Sequence, residues 1–369
     1  IKGISLFIVP KIIPAKDGSL KIANNVKCGS IEKKMGIKAS PTCVMHYEDA
    51  KGWLLGDLNK GMKAMFIMMN GARLFVGIQG IGLSETAYQS ALQYSKERLQ
   101  GKLPESNNVA DPIIVHPEIR KNLMYMKSVN DGIRGLMLKA GNAFDIIDSD
   151  QTSKLSQTSE NLIALLTPIL KSFATDKALE ITNNALQIYG GHGYITDHGM
   201  EQLVRDARIL PIYEGTNGIQ ALDLIGRKFN IHDGQIINDY LSEIEEFLIA
   251  NNDEQNMQKF IELFKSSFID LKDCVDFIRQ IDTKNTKEIN AHAMDFLNIF
   301  AGILFIILEA LIIPGFGIPG IAGIVFILWG LYLLLLPETP VGEEVLNQAS
   351  NGLILGIIGG LIGLVLLFR

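Results

Sequence analysis

Three stretches of this 369-residue chain bring together residue types that can do chemistry. They are Gln187-Ile188-Tyr189-Gly190-Gly191-His192-Gly193-Tyr194, Arg205-Asp206-Ala207-Arg208, and Pro211-Ile212-Tyr213-Glu214-Gly215-Thr216-Asn217-Gly218-Ile219-Gln220. A glycine run at the end of a helix lets the backbone approach a flat or anionic ligand, because no Cβ stands in the way. Glu214, between Tyr213 and Gly215 and just ahead of a helix, is a carboxylate on a turn. On pattern alone it has two readings: an acid that caps the following helix, or a placed catalytic group. No G-x-G-x-x-G follows a strand, so a Rossmann-type dinucleotide site is not expected. Gly77, Gly80 and Gly82 fall within a helical period and read as close helix packing. The cysteines, Cys28, Cys43 and Cys274, have no metal-ligand spacing. That excludes a disulfide scaffold and a cysteine-based metal site, and it fits a reducing compartment. No metal is expected. A net charge of −6 leaves no phosphate-neutralising surface, which argues against a nucleic-acid partner.

These residues need elements to hold them. The length suits two domains of ~150 residues, or one plus an appendage, and 47% apolar residues suffice for a packed core. Residues 1–60 read as β, with short runs at 4–9 and 42–47 broken by Pro10, Pro14, Asp17-Gly18, Pro41 and Gly52. From Gly61 the apolar period becomes helical: Met62, Met65, Phe66 and Met69 fall at i, i+3, i+4 and i+7. A polar, proline-containing break over 101–117 ends that helix. A second helix is predicted from about 117 to 147 and a third from about 156 to 189, where Gly190-Gly191 stops it. A shorter helix follows Gly215. Four such helices with short connections predict a bundle over 61–228. Residues 229–298 are charged and amphipathic, with helices expected near 235–250 and 255–281 and a packing role.

Composition changes sharply after Asn298. Beyond it only Glu309, Glu338, Glu343, Glu344 and Arg369 are charged, although charged residues make up 20% of the chain. Residues 299–313, 318–336 and 352–368 are apolar runs, and the last two reach the ~17–25 residues that span a hydrocarbon core. Pro314-Gly315-Phe316-Gly317 is a tight turn that makes the first two a hairpin. With Leu308-Glu309 ahead of that turn and a glycine-rich apolar stretch after it, residues 299–369 resemble the NfeD-like membrane family. Its members serve as membrane scaffolds or protease partners, and no catalytic residue comes with this portion.

Residues 1–228 resemble the acyl-CoA dehydrogenase family. The resemblance rests on Lys2-Gly3-Ile4-Ser5-Leu6-Phe7, Lys34-Met35-Gly36-Ile37-Lys38-Ala39-Ser40, Glu97-Arg98 and the two glycine-rich blocks. Thr216-Asn217-Gly218-Ile219-Gln220-Ala221-Leu222-Asp223 and the extension after it look most like the 3-methylmercaptopropionyl-CoA dehydrogenase branch. The resemblance implies a mainly α fold: a partial β domain over 1–60, an acyl-CoA dehydrogenase-type four-helix bundle over 61–228, an amphipathic helical extension over 229–298, and a transmembrane helical tail over 299–369. It implies a flavin-dependent α,β-dehydrogenation of an acyl-CoA thioester, within fatty-acid metabolism.

The site roles follow from the same resemblance. Glu214 matches the base that removes the α-proton. An ordinary carboxylate of pKa ~4.3 is a weak base for a carbon acid, so a site that shields it from water is expected. Arg98, Gln187, Gly190, Gly191, Thr216 and Asn217 match FAD-contacting positions, some reaching across a subunit interface. Asn70, Arg73 and Gly215 match positions around the substrate. His46 and His192 read as structural. Expected partners are acyl-CoA, an electron-transferring flavoprotein, a second copy of the chain, and a membrane with the soluble part on its cytoplasmic side. The chain opens at Ile1 inside a strand-like run, so it is read as part of a longer frame. The β segment that holds the flavin ring in the family precedes Ile1, so weak flavin retention and inactivity are expected of these 369 residues alone. The alternatives are a membrane scaffold carrying a non-catalytic dehydrogenase segment, and an artificial join of two frames.

Overall fold

The computed structural model describes residues 3–150, 152–252, 258–280 and 286–312. Six short strands come first: β1 (Leu6–Ile8), β2 (Ile12–Pro14), β3 (Leu20–Ala23), β4 (Val26–Ile31), β5 (Cys43–Tyr47) and β6 (Trp53–Leu55). They pair as three antiparallel ladders, β1 with β6, β2 with β3 and β4 with β5. Prolines and the Asp17-Gly18 turn keep them short, since proline cannot donate to a ladder. Buried Asn24 binds this region together. Its Nδ2 donates to the carbonyls of Pro10 and Lys51 at 2.8 Å each, and its Oδ1 accepts from Lys51 N at 2.9 Å.

The rest is helical: α1 (Gly61–Glu97), α2 (Pro117–Ser149), α3 (Lys154–Tyr189), α4 (Met200–Ala207), α5 (Asn217–Gly226), α6 (Gln235–Ala250), α7 (Gln258–Gln280) and α8 (Thr286–Ile312). The chain is thus mainly α, as the periodicity implies. Two compact units divide it.

The first unit is Ile1–Arg120 with Ala174–Gly215. Here α1 packs against α4 and β1. Val76, Ala178 and Leu210 bury together, with Leu83, Ile209 and Tyr213 against them. A Cβ added at Gly80 would stand 2.8 Å from the Ala174 carbonyl oxygen, so the helices touch backbone to backbone there. Gly82 differs from the expectation: it is exposed and a Cβ there would meet nothing within 4 Å. The stretch around Gly36 seats on α4. Arg205 Nη1 donates to Met35 O at 2.8 Å, and Ile37 N donates to Asp206 Oδ1 at 2.5 Å. A Cβ on Gly36 would come within 2.6 Å of the Arg205 carbonyl carbon, so only glycine allows that approach.

The second unit is Lys121–Phe173 with the described residues from Thr216 onward. Its α8 packs on α5 and α7. Ala293, Phe296, Leu297 and Phe300 form a buried stripe at i, i+3, i+4 and i+7. Phe296 meets Phe229 edge-on at 5.0 Å between centroids, and Phe300 lies 6.0 Å from Tyr240. The compositional change at 298/299 therefore falls inside a continuous helix. Among the described residues only α1 is long and apolar enough to cross a membrane, but it buries Arg73 and Ser84 in the first unit. The apolar runs 318–336 and 352–368 lie outside the described residues.

The two glycines of α1 give opposite expected outcomes. Gly80→Ala overpacks the α1–α3 approach and should lower stability by ~1–3 kcal/mol. Gly82→Ala only removes glycine's conformational freedom from a helix interior and should raise stability by ~0.5–1 kcal/mol. Thermal unfolding of both variants checks this, and equal shifts would contradict the packing at Gly80.

Candidate functional site

The turn after α4 is built by the chain between buried Leu210 and α5. Glu214 and Gly215 both take left-handed backbone, with φ of 54° and 87°. Glycine adopts that region freely, while a glutamate there costs roughly 1–2 kcal/mol. Tyr213, ahead of them, is anchored: its hydroxyl donates to Gln79 Oε1 on α1. Burial first, and then the charge of Glu214, push the Tyr213 phenol above its ordinary pKa, so it keeps its proton for that bond. Glu214 itself is half-buried.

A second feature lies in the first unit. Arg98, Gln187, Gly190 and Gly191 line one cavity of about 590 Å³ together with His116 and His192. Gly190 has φ 58°, and a Cβ added at Gly190 or Gly191 would meet nothing within 4 Å, so the backbone there is open. Two of its lining rings, Tyr94 and Tyr189, stack with centroids 4.0 Å apart. Tyr94 OH lies 3.0 Å from His192 Nδ1, and His192 stacks on His198 at 4.8 Å. An exposed guanidinium, a carboxamide, imidazoles and open glycine backbone together form a donor set suited to an anionic, flat-ringed ligand.

A family model described as the acyl-CoA dehydrogenase C-terminal domain matches residues 59–229. Over that segment the chain is similar to acyl-CoA dehydrogenases. A second model, the NfeD integral membrane domain, matches residues 289–369. The chain is 42% identical over 230 residues to 3-methylmercaptopropionyl-CoA dehydrogenase of Ruegeria pomeroyi, covering 62% of this chain and 39% of that protein. It is 32% identical over 294 residues to a butyryl-CoA dehydrogenase of Syntrophomonas wolfei, covering 77% and 48%. The chain thus spans less than half the length of either relative. A solved structure of acyl-CoA dehydrogenase complexed with FAD from Bacillus anthracis superposes with TM-score 0.70 at 22% identity, over 93% of this chain and 63% of that one. At that identity it speaks for the fold.

Within this acyl-CoA dehydrogenase-type segment the residues expected at the site separate into groups. Arg98, Gln187, Gly190 and Gly191 share the cavity. Glu214 and Gly215 share the left-handed turn. Asn70 is exposed and Arg73 is buried, both on α1, and neither lines the cavity. Thr216 caps α5, its hydroxyl accepting from Ile219 N at 3.3 Å. Asn217 is used inside the fold. It is 6% exposed, its Oδ1 accepts from Lys171 Nζ at 2.8 Å, and its Nδ2 donates to Ser172 O at 3.1 Å. Sequence reasoning missed Gln79, Tyr94, His116 and Lys171 altogether and gave His192 only a structural part. The partners of Gln79, Tyr94 and Lys171 lie 46 to 134 residues away in the chain, a distance that local pattern does not report.

Lys171 is fully buried, which makes Asn217 costly to lose. Asn217→Leu should lower stability by about 1.5–3 kcal/mol, the worth of a hydrogen bond to a charged group, and the thermal midpoint by several degrees. An unchanged midpoint would show that the carboxamide does not hold the ammonium.

Proposed function

We propose that this chain carries the base and part of the cofactor site of an FAD-dependent acyl-CoA dehydrogenase, which forms a double bond between Cα and Cβ of an acyl-CoA thioester. The observation that carries the reading is the turn at Glu214: a glutamate held in left-handed backbone, next to an anchored tyrosine, in a segment of this family. Strained non-glycine backbone persists where surrounding structure fixes it, and it clusters at functional sites.

Glu214 takes the α-proton. Its carboxylate is carried on a backbone that Gly215 and the Tyr213–Gln79 bond keep from relaxing. The backbone N–H at Glu214 donates to the thioester oxygen and stabilises the charge that builds there as the proton leaves. Arg98, Gln187 and the Gly190-Gly191 backbone fit the phosphate-bearing part of the cofactor, because their cavity offers positive charge, amide donors and no intruding Cβ. FAD, when bound, supplies the acceptor for the β-hydride. An electron-transferring flavoprotein is the partner class that takes the electrons onward. Residues 299–369 anchor the chain in a membrane, with the preceding part on the cytoplasmic side where CoA thioesters are found.

In the intact protein, Glu214→Gln should bind acyl-CoA but slow flavin reduction by ~10²–10⁴, the usual contribution of a general base. Near-normal reduction would reject Glu214 as the base. The chain should also stay with membranes through alkaline extraction, because the NfeD-type segment spans them. Recovery in the soluble fraction would contradict the anchor.

A further inference from the structure

β4 and β5 carry two of the three cysteines, Cys28 and Cys43, and both are exposed. The register sets Cys28 opposite Met45 and Ile31 opposite Cys43. Residues two apart on a strand share a face, so Cys43 is the diagonal neighbour of Cys28. The pairing shifts between Cys28 and Ser30, a bulge that leaves Gly29 unpaired and bends the strand. A Cβ on Gly29 would run into the His46 ring, so a larger residue there requires that exposed side chain to move. The neighbouring Cys28 thiol, ahead of burial, raises the Cys43 pKa. Cys28 Sγ also reaches Ser30 O at 3.4 Å. Diagonal neighbours stand roughly 7–8 Å apart at Cα, against the roughly 4.4–6.8 Å that a disulfide spans. The two ranges nearly meet, and the bend at the bulge lies beside Cys28. Cys274, by contrast, is buried on α7, and burial followed by Asp270 and Asp273 pushes its thiol up to about 11.

We propose that Cys28 and Cys43 form a reversible dithiol–disulfide site whose oxidant is a peroxide. One sulfur attacks a peroxide oxygen; the O–O bond breaks, a sulfenic acid forms and one water leaves. The second thiol then attacks the sulfenic sulfur; the S–S bond forms, the S–O bond breaks and a second water leaves. Two electrons pass from the sulfurs to the peroxide. The bridge closes residues 29–42 into a loop whose tip, at Met35 and Ile37, is the part seated on Arg205 and Asp206 of α4. Oxidation therefore constrains the segment seated on α4. In a reducing compartment a disulfide of this kind is transient and signals a change of redox state. The inference is independent of the proposed activity.

The test uses the full chain, purified with reductant, exchanged, treated with hydrogen peroxide, alkylated and digested with trypsin. Cleavage at Lys27, Lys33, Lys38 and Lys51 puts Cys28 and Cys43 on separate peptides, 28–33 and 39–51. The expected result is that these peptides appear linked, two hydrogens lighter than their sum, at every protein concentration. Alkylatable thiols should fall from three to one, with Cys274 remaining, and dithiothreitol should restore all of them. Cys28→Ser and Cys43→Ser should each abolish the linked product. Retention of all three thiols, a link that includes Cys274, or a link that disappears on dilution because it joins two chains, would each overturn the proposal.

Discussion

The backbone at Glu214 and Gly215 turns left-handed, and the candidate site depends on that turn being held. A glutamate does not rest there by preference, since its Cβ crowds the following carbonyl. Tyr213 supplies the hold in the first unit, tucked against the Val76, Ala178 and Leu210 cluster and bonded to Gln79. Without such an anchor the turn would relax, and a carboxylate on a relaxed loop loses the fixed geometry that makes a base effective. In the second unit α5 begins two residues after Gly215, with Thr216 as its cap and Asn217 spent on buried Lys171. A residue expected to touch the cofactor thus has an internal task.

Much of the fold is legible in the sequence because it follows from periodicity. The switch from alternating to helical spacing at Gly61 marks the first residue of α1, and the amphipathic stretches near 235–250 and 255–281 become α6 and α7. Glycine stops at 190–191 end α3 as their freedom predicts. Where sequence failed, the determinant was non-local or short. Met200, Leu203, Val204 and Ala207 have helical spacing, but α4 is only eight residues long, too brief for periodicity to stand out. Gly82 shares a helix with Gly80, yet only Gly80 meets another backbone, and nothing local distinguishes them. The cavity gathers Tyr94 and Arg98 with Gln187 and His192, which lie far apart in the chain.

The junction with the membrane-type segment is also a matter of packing. Charge vanishes after Asn298, which invites a boundary there. The helix ignores it, because Phe296, Leu297 and Phe300 repeat at a spacing that serves α5 and α7 on both sides of that position. The NfeD match begins at residue 289, before the charge is lost. One helix therefore carries the charged residues before Asn298 and the apolar ones after it, and it packs on α5 and α7.

The central claim is that a carboxylate on the Glu214 turn removes a proton from the carbon next to the thioester. The most direct measurement is anaerobic flavin reduction by acyl-CoA in the intact protein, comparing substrate carrying hydrogen at Cα with substrate carrying deuterium there. Reduction should occur and deuterium at Cα should slow it, because that bond breaks as the proposed base, Glu214, accepts the proton. Reduction at the same rate with both substrates would contradict a rate-limiting α-proton transfer at Glu214, and no reduction by any acyl-CoA would contradict the activity itself.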